Sequence, residues 1–292
     1  MLPKNATIVS HKLARIAQKI ADNAPENVSE IILDGSVARG LSDKFSDIEL
    51  QFFSDDVPSM NEILAWMASM NFYGEPLIRA DDSGFRFVND TYDDVRVELA
   101  WTSFTYEATQ LDGIIDQIGG SQFINAPYKW SDAIALRGGT HIIQWKALFN
   151  HYPDSVRNRY IQPVLDSWRI ALKDPIDSLG RWKDAHRNAW FYLLKTHWMD
   201  VLPLLRIIFA YNRMWFPVAK WWHTEVSKLR YKPKNLVERV NNSLSNPDPI
   251  IRIDELSRLQ IEVVQLIEDD YVVDDVLVRL REVREYGLSL GV

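Results

Sequence analysis

The chain carries Leu33-Asp34-Gly35-Ser36, and Asp47-Ile48-Glu49 begins eleven residues after Ser36. Residues 29–33, directly before Asp34, form an apolar run rich in branched side chains, which predicts a buried strand that ends at Gly35. Glycine lets the backbone approach a ligand closely, and the freed amides of such a turn bind phosphate oxygens. Because Ser36 adds a hydroxyl donor beside those amides, the stretch predicts a phosphate-binding turn.

A second strand is predicted for residues 46–53, where polar and apolar residues alternate. Side chains of a strand alternate between its two faces, so Asp47, Glu49 and Gln51 share one face while the apolar residues between them pack on the other. Asp47 and Glu49 would lie about 7 Å apart along the strand. Paired carboxylates of this kind are suitable ligands for Mg²⁺ or Mn²⁺.

A third carboxylate comes from a predicted hairpin. Its arms are residues 85–88 and 95–101, joined by the polar stretch 89–94. Glu98 is an acid within the otherwise apolar second arm, which is an unusual place for a solvated charge. The plainer alternatives are that Glu98 pairs with Arg96 or Arg86 and that the other two motifs are an ordinary turn and an exposed strand face.

Taken together, the Gly35-Ser36 pair, the acids Asp47 and Glu49 with one apolar residue between them, and the later strand-borne Glu98 resemble the signature of the DNA polymerase beta-like nucleotidyltransferase superfamily. The resemblance covers roughly the first hundred residues, and Glu49 stands where many members carry Asp. It implies a mixed sheet with flanking helices and a two-metal transfer of a nucleotide from a nucleoside triphosphate.

The same resemblance assigns roles to residues. Asp47, Glu49 and Glu98 would be the catalytic and metal-binding acids, with Mg²⁺ or Mn²⁺ as the metal, and Glu98 is either a metal ligand or a general base. ATP or another nucleoside triphosphate would be the co-substrate. Its phosphates would contact Gly35, Ser36 and Ser46.

Composition sets limits on the protein class. The 292 residues carry a net charge of −7 and contain no cysteine, which excludes disulfides, zinc–thiolate sites and thiol catalysis and favours a cytoplasmic location. The N-terminus lacks an apolar signal core, and the longest apolar stretch, residues 201–222, is interrupted by prolines and basic residues. That stretch predicts a buried helix pair rather than a membrane span.

The second half has a helical pattern from about Tyr128 onward, and the complete chain is predicted to be α+β. We expect a catalytic domain over residues 1–125 and an all-α bundle over 126–292, joined near residues 119–127. The apolar positions predict helices at residues 141–150, from 153–154 onward, 179–215, 217–228, 254–268 and 274–286.

Residues 212–222 combine Arg213 and Lys220 with four aromatic side chains. Either cation would contact the triphosphate from the wall of a nucleotide pocket, or both are ordinary snorkelling side chains. This stretch and the preceding His151-Tyr152-Pro153 resemble an uncharacterised bacterial group of nucleotidyltransferase-like proteins with a helical C-terminal domain. The overall plan is also similar to aminoglycoside and lincosamide nucleotidyltransferases.

Three functions follow as alternatives. The first is transfer of a nucleotide, with AMP expected, to a hydroxyl of a small molecule, for which an antibiotic and a resistance role are candidates. The second is transfer to a protein or an RNA end, which the acidic net charge disfavours because nucleic-acid binding usually needs a basic face. The third is a non-catalytic nucleotide-binding module, which a failure of the three acids to converge would favour. The acidic stretches suit a cationic acceptor, no membrane partner is expected, and the oligomeric state stays open.

Overall fold

The computed structural model describes residues 1–81, 84–119, 126–171 and 180–290, without the side chains of residues 171 and 195–198. Its contacts divide the chain into two compact units. The first unit comprises Met1–Ile114 with Ile124–His151, and the second comprises Ile115–Phe123 with Tyr152–Val292. The predicted boundary between residues 125 and 126 and most of the predicted linker fall at residues 120–125, outside the described ranges, so this boundary stays a prediction.

A six-stranded mixed sheet forms the centre of the first unit, within the described residues. The strands are β1 (Glu30–Asp34), β2 (Ile48–Ser54), β3 (Tyr73–Ala80), β4 (Arg86–Tyr92), β5 (Val95–Ser103) and β6 (Ile134–Arg137). Their order across the sheet is β3-β4-β5-β2-β1-β6. β2 and β5 run parallel, whereas the other neighbouring pairs are antiparallel. The α+β fold class is confirmed.

One face of this sheet packs against two helices, α1 (Ile8–Asp22) and α3 (Met60–Ser69). The alternating residues Ile48, Leu50 and Phe52 of β2 belong to the core on this face and are at most 2% exposed. The predicted alternation in β2 is therefore confirmed. It leaves Glu49 and Gln51 for the opposite face.

The opposite face is divided into an aromatic part and a polar part. Near the end of β2, Phe53 lies 5.2 Å from Trp145 and 6.0 Å from Phe104 between ring centroids, and Trp130 lies 5.1 Å from Trp145. These rings come from three helices of the first unit: α4 (Phe104–Leu111), α6 (Ala126–Asp132) and α7 (Thr140–Ala147). Nearer the start of β2, this face carries the partly exposed Glu49.

Two local predictions for the first unit are wrong. Residues 89–92, predicted as part of a loop, continue β4, and the hairpin turns tightly at Asp93 and Asp94, whose φ angles are 50° and 61°. Such a two-residue turn with positive φ at both positions matches the twist of paired strands. The helical pattern predicted from Tyr128 onward is interrupted by β6, of which Ile134, Ala135 and Arg137 pair with the neighbouring strand β1.

The second unit is helical in its described part. Beyond the short α5 (Ile114–Gln117), whose residues are divided between the units, its α-helices are α8 (Asp154–Ala171), α9 (Gly180–His186), α10 (Trp190–Tyr211), α11 (Trp222–Glu225), α12 (Leu236–Ser245), α13 (Pro249–Leu266) and α14 (Asp274–Ser289). The helix predicted over 179–215 is broken between His186 and Trp190, and short 3₁₀ segments flank α11 where one helix was predicted. Among the described helices, none combines the length and the apolar character that crossing a bilayer requires.

Glu30 ties the start of α7 to the sheet. Its carboxylate accepts hydrogen bonds from the backbone amides of His141 (3.0 Å) and Ile142 (3.1 Å), and its Oε1 lies 3.0 Å from His141 Nδ1. Burial alone would raise the pKa of Glu30, but the bonds from His141 and Ile142 outweigh it and hold that pKa below its ordinary value of 4.5.

We expect Glu30→Gln to lower the free energy of unfolding by about 1–3 kcal/mol at neutral pH, because charge-assisted bonds to α7 are weakened. Since the pKa of Glu30 is lower in the folded state, this contribution is fully present above pH 4.5 and is lost as pH falls through the folded-state pKa. Urea unfolding of both proteins from pH 7 to pH 3 measures the difference. Glu26→Gln, an exposed neighbour, is the control, and a pH-independent difference would contradict the prediction.

Candidate functional site

Four polar residues form a row across the sheet face opposite α1 and α3. In the strand registers Asp34 of β1 lies opposite Glu49 of β2, Glu49 opposite Glu98 of β5, and Glu98 opposite Asn89 of β4. Residues in register on neighbouring strands share a face, and each strand adds a separation of about 4.8 Å. Asp47 lies directly before the first residue of β2, and its charge is close enough to raise the pKa of Glu49. The sheet thus sets Glu49 and Glu98 in register with Asp34, and Asp47 adjoins this row.

Glu49 lies at the centre of this row and against Gly35. A Cβ atom at Gly35 would lie 2.6 Å from Cδ of Glu49, well inside contact distance, and Gly35 has a φ of +70° that favours glycine. The absence of a side chain at position 35 therefore leaves the space that the Glu49 carboxylate occupies. Burial, followed by the charges of Asp34, Asp47 and Glu98, raises the pKa of Glu49 to about 7. Negative charge is concentrated here more than a sheet face normally tolerates.

Asp34 is held by a buried arginine. Arg39, whose side chain is 8% exposed, lies 3.3 Å from the Asp34 carboxylate and 3.3 Å from that of Asp132, with its guanidinium 4.0 Å from the ring centre of Tyr128. Burial raises the pKa of Asp34, while the charges of Arg39 and Lys129 act in the opposite direction. Sequence reasoning did not select Asp34. An acid directly before the glycine that ends a buried strand was the available signal.

Glu98 has a defined partner in the row. Asn89 Nδ2 donates a hydrogen bond to Glu98 Oε1 at 3.1 Å. Arg86, one of the alternative partners considered for Glu98, directs its guanidinium to the backbone carbonyls of Asp81 and Phe85. Asn89 therefore fixes one carboxylate oxygen of Glu98. The position of Asn89 became visible only when residues 89–92 proved to be strand.

The two serines selected from the sequence lie in local turns. Ser36 is 7% exposed at the start of α2 (Gly35–Ala38), with its Oγ 3.3 Å from Oγ of Ser42. Ser46 Oγ donates to Asp43 Oδ1 at 3.1 Å and accepts from the Asp43 backbone amide at 2.9 Å. These bonds shape the segment between Gly35 and Asp47. Contact of either hydroxyl with a phosphate stays a prediction.

Arg213 and Lys220 belong to the second unit. Arg213 has a φ of 54° and its guanidinium lies 2.6 Å from the Asp154 carboxylate, while Lys220 Nζ lies 5.7 Å from the ring centre of Trp221. Both cations thus have partners within their own unit. Their predicted contact with a triphosphate stays a prediction.

The acidic row meets some of the requirements of a metal site. Asp47 and Glu49 offer hard carboxylate oxygens, and a bound divalent cation would favour the charged form of Glu49, whose pKa is raised by burial and then by the charges of Asp34, Asp47 and Glu98. Among the described residues, however, no three His, Asp or Glu side chains are gathered as a ready ligand group. The fit is therefore to two carboxylates, Asp47 and Glu49, with Glu98 next to them in the register.

No protein-family model matches this sequence. No curated protein matches it either. Among solved structures, the chain is similar to the crystal structure of a nucleotidyltransferase-like protein from Exiguobacterium sibiricum 255-15, with 13% sequence identity and a TM-score of 0.36, over 96% of this chain and 91% of that one.

Proposed function

We propose that the first unit is a metal-dependent nucleotidyltransferase site that moves a nucleoside monophosphate, AMP from ATP in the first instance, to a hydroxyl group of a small molecule. The observation that carries this proposal is the row of Asp34, Glu49 and Glu98 on three neighbouring strands, with Asp47 close enough to Glu49 for its charge to raise the pKa of Glu49. Several carboxylates concentrated on one sheet face can bind a divalent metal ion, which in turn binds a polyphosphate.

Asp47 and Glu49 are the residues that would hold Mg²⁺ or Mn²⁺. When bound, the ion would neutralise phosphate charge and so assist the departure of pyrophosphate. Gly35 contributes by leaving room for the Glu49 carboxylate. Arg39 contributes by forming an ion pair with Asp34. The negative charge of Asp34, which lies next to Glu49, is therefore compensated.

We propose that Glu98 acts on the acceptor. The acceptor oxygen attacks the α-phosphorus and forms a new P–O bond, the bond to the β-phosphate oxygen breaks, and the hydroxyl proton must leave. In the proposed role Glu98 takes that proton as a general base. The hydrogen bond from Asn89 to one oxygen of Glu98 orients the carboxylate. The role of second-metal ligand, implied by the family resemblance, is the alternative.

The acceptor class is proposed on weaker grounds of charge. The net charge of −7 supports a small hydroxylated acceptor, neutral or cationic, over a nucleic acid. Aminoglycosides and lincosamides are therefore the first candidates, and a cytoplasmic resistance enzyme is the corresponding biological role. Transfer to a protein or an RNA end is the alternative acceptor class.

A nucleotide-binding module without transfer activity is the second candidate function. It is favoured by one observation: within the described ranges, the acids do not form a ready three-ligand group. The two candidates differ in a measurable way, because a binding module would bind ATP without releasing pyrophosphate.

Pyrophosphate release tests the proposal directly. The protein is incubated with Mg²⁺ and each of ATP, GTP, CTP and UTP, against a panel of aminoglycosides, lincosamides and RNA. Release that depends on one acceptor supports transfer and identifies both substrates. Tight Mg²⁺-dependent ATP binding with no release across the panel supports the binding module instead.

Asn89→Ala should lower the rate of transfer about tenfold, since residues that orient a catalytic ligand or base commonly have effects of this size. The change removes the bond to Glu98 but none of the acids. Asn27→Ala, at an exposed position before β1, should have no effect. If Asn89→Ala slows the Glu98→Ala protein by the same factor, the two residues act independently and the orienting role is wrong.

A further inference from the structure

A cleft of about 480 Å³ opens beside the acidic row, entirely within the first unit. Residues from α1, from the segment before β2 and from the β4–β5 hairpin line it, and Asp47 is one of them. The cleft therefore shares Ser46, Asp47 and Asn89 with the proposed transfer site and extends beyond it to α1 and Arg96.

Three cations line this cleft, namely Lys12, Lys44 and Arg96. In the part of the chain that the structure describes, Lys12 and Arg96 have no carboxylate partner at ion-pair distance, and the contact recorded for Lys44 is with the Phe45 ring, 4.8 Å from Nζ to the ring centre. Arginine and lysine side chains held at the mouth of one cleft without counter-charges are typical donors for an oxyanion.

The carboxylates of the same cleft are mostly engaged elsewhere. Asp43 Oδ1 accepts hydrogen bonds from the Phe45 amide at 2.9 Å and from Ser46 Oγ at 3.1 Å. Asp94 accepts a hydrogen bond from the Tyr73 hydroxyl. These bonds leave both carboxylates charged but tie them to their own turns, and within the described residues neither forms an ion pair with the cations of the cleft.

Arg96 has a defined place relative to the acids. It precedes Glu98 by two residues on β5 and so lies on the same sheet face. The register of β2 and β5 begins with Ile48 opposite Val97, and Asp47 and Arg96 are the residues directly before these two. Both line the cleft. A ligand oxyanion bound to Arg96 would consequently lie next to the first acid of the proposed metal site.

We propose that this cleft is a subsite for a phosphate group, bound by Arg96 and Lys12 with support from Lys44. The inference deepens the proposed function and rests on it, because it assigns the phosphate chemistry of the ligand to named donors beside Asp47. The phosphate has two possible sources, the triphosphate of the nucleotide or a phosphate carried by the acceptor.

Calorimetric titration of the full-length protein tests the subsite. MgATP and, separately, inorganic phosphate in the presence of saturating MgATP are titrated into the wild type, Arg96→Ala and Lys12→Ala. Loss of one charge-assisted contact should weaken binding about tenfold. Lys19→Ala is the matched control, because it removes the same charge from the same helix at a position outside the cleft. Lys12 is exposed on α1, so its replacement leaves the fold intact even if Arg96→Ala does not fold.

The outcomes separate the two sources. Weaker MgATP binding in Lys12→Ala and Arg96→Ala, but not in Lys19→Ala, supports the subsite and identifies the nucleotide triphosphate. Unchanged MgATP binding with weaker binding of inorganic phosphate supports it and identifies a phosphorylated acceptor. The proposal is overturned if both variants bind MgATP and inorganic phosphate as tightly as the wild type does. It is also overturned if the wild type does not bind inorganic phosphate and both variants bind MgATP as tightly as the wild type.

The same titrations distinguish this inference from the proposed function. If Asp47→Asn leaves MgATP binding dependent on Mg²⁺ as in the wild type while Arg96→Ala weakens it, the metal assignment fails and the phosphate subsite stands. If Asp47→Asn abolishes the Mg²⁺ dependence while the Lys12 and Arg96 variants bind both ligands normally, the subsite fails and the metal assignment stands.

Discussion

Replacement of Asp47 by Asn is expected to reduce pyrophosphate release to less than about one hundredth of the wild-type rate, because an amide is a poor substitute for a carboxylate as a metal ligand and leaves phosphate charge uncompensated. Asp47 lies close enough to Glu49 for its charge to raise the pKa of Glu49, and it lines the cleft that contains Arg96, so few other residues can take over its position. The measurement is initial pyrophosphate release with the acceptor that the panel identifies.

The fold should survive this change. Asp47 is one of the charges that raise the pKa of Glu49, so its removal relieves repulsion and should leave the melting temperature unchanged or higher. Asp55→Asn is the matched control, since Asp55 is an exposed acid just beyond the other end of β2 and loses the same charge. Wild-type turnover by Asp47→Asn, or equal losses in the two variants, would contradict the assignment of Asp47.

Replacement of Gly35 by Ala should damage both stability and transfer. The backbone at Gly35 has a φ of +70°, and the new methyl group would occupy the space of the Glu49 carboxylate. Left-handed backbone strain and overpacking together are expected to lower the free energy of unfolding by about 2–4 kcal/mol. If the new methyl group displaces the Glu49 carboxylate by about 1 Å, transfer should slow about a hundredfold. Urea unfolding and pyrophosphate release measure the two effects.

Gly113→Ala separates strain from displacement. Gly113 has a similar φ of +63°, but a Cβ there would meet nothing within 4 Å, so its replacement should cost about 1–2 kcal/mol and leave transfer unchanged. Adding Glu49→Ala to Gly35→Ala should restore part of the lost stability, because neighbouring changes that share one cause are not additive. Strict additivity would show that Gly35 and Glu49 do not compete for this space.

Strand periodicity allowed part of the acidic site to be predicted from the sequence. Alternation within 46–53 correctly assigned Glu49 and Ile48 to opposite faces, and the branched run before Gly35 correctly indicated β1. What periodicity cannot supply is register between distant strands. Asp34 lies opposite Glu49 because β1 and β2 pair antiparallel. Glu49 lies opposite Glu98 because β2 pairs in parallel with β5, about fifty residues later in the chain. Asp34 was missed for this reason.

The remaining errors have local physical causes. All of β3 is exposed, so it lacks the alternation by which strands are recognised and was not predicted. β4 was predicted too short because Asn89 and Asp90 are polar residues typical of turns, yet they pair with Glu98 and Val97. The single helix predicted over residues 217–228 is wrong, because proline and several bulky aromatic residues in this segment leave only short helical turns.

The four-residue strand β6 has a consequence for any attempt to produce the sheet alone. β6 pairs with β1 on the side away from β2, so it occupies hydrogen-bonding groups of β1 that would otherwise form a free edge. A shortened protein ending at residue 125 would keep Asp34, Glu49 and Glu98 but would expose that edge, next to Ile31, Ile32 and Leu33, to other chains. Unprotected apolar edges of this kind promote self-association. We expect such a fragment to aggregate, and a fragment ending at His151 to stay better dispersed.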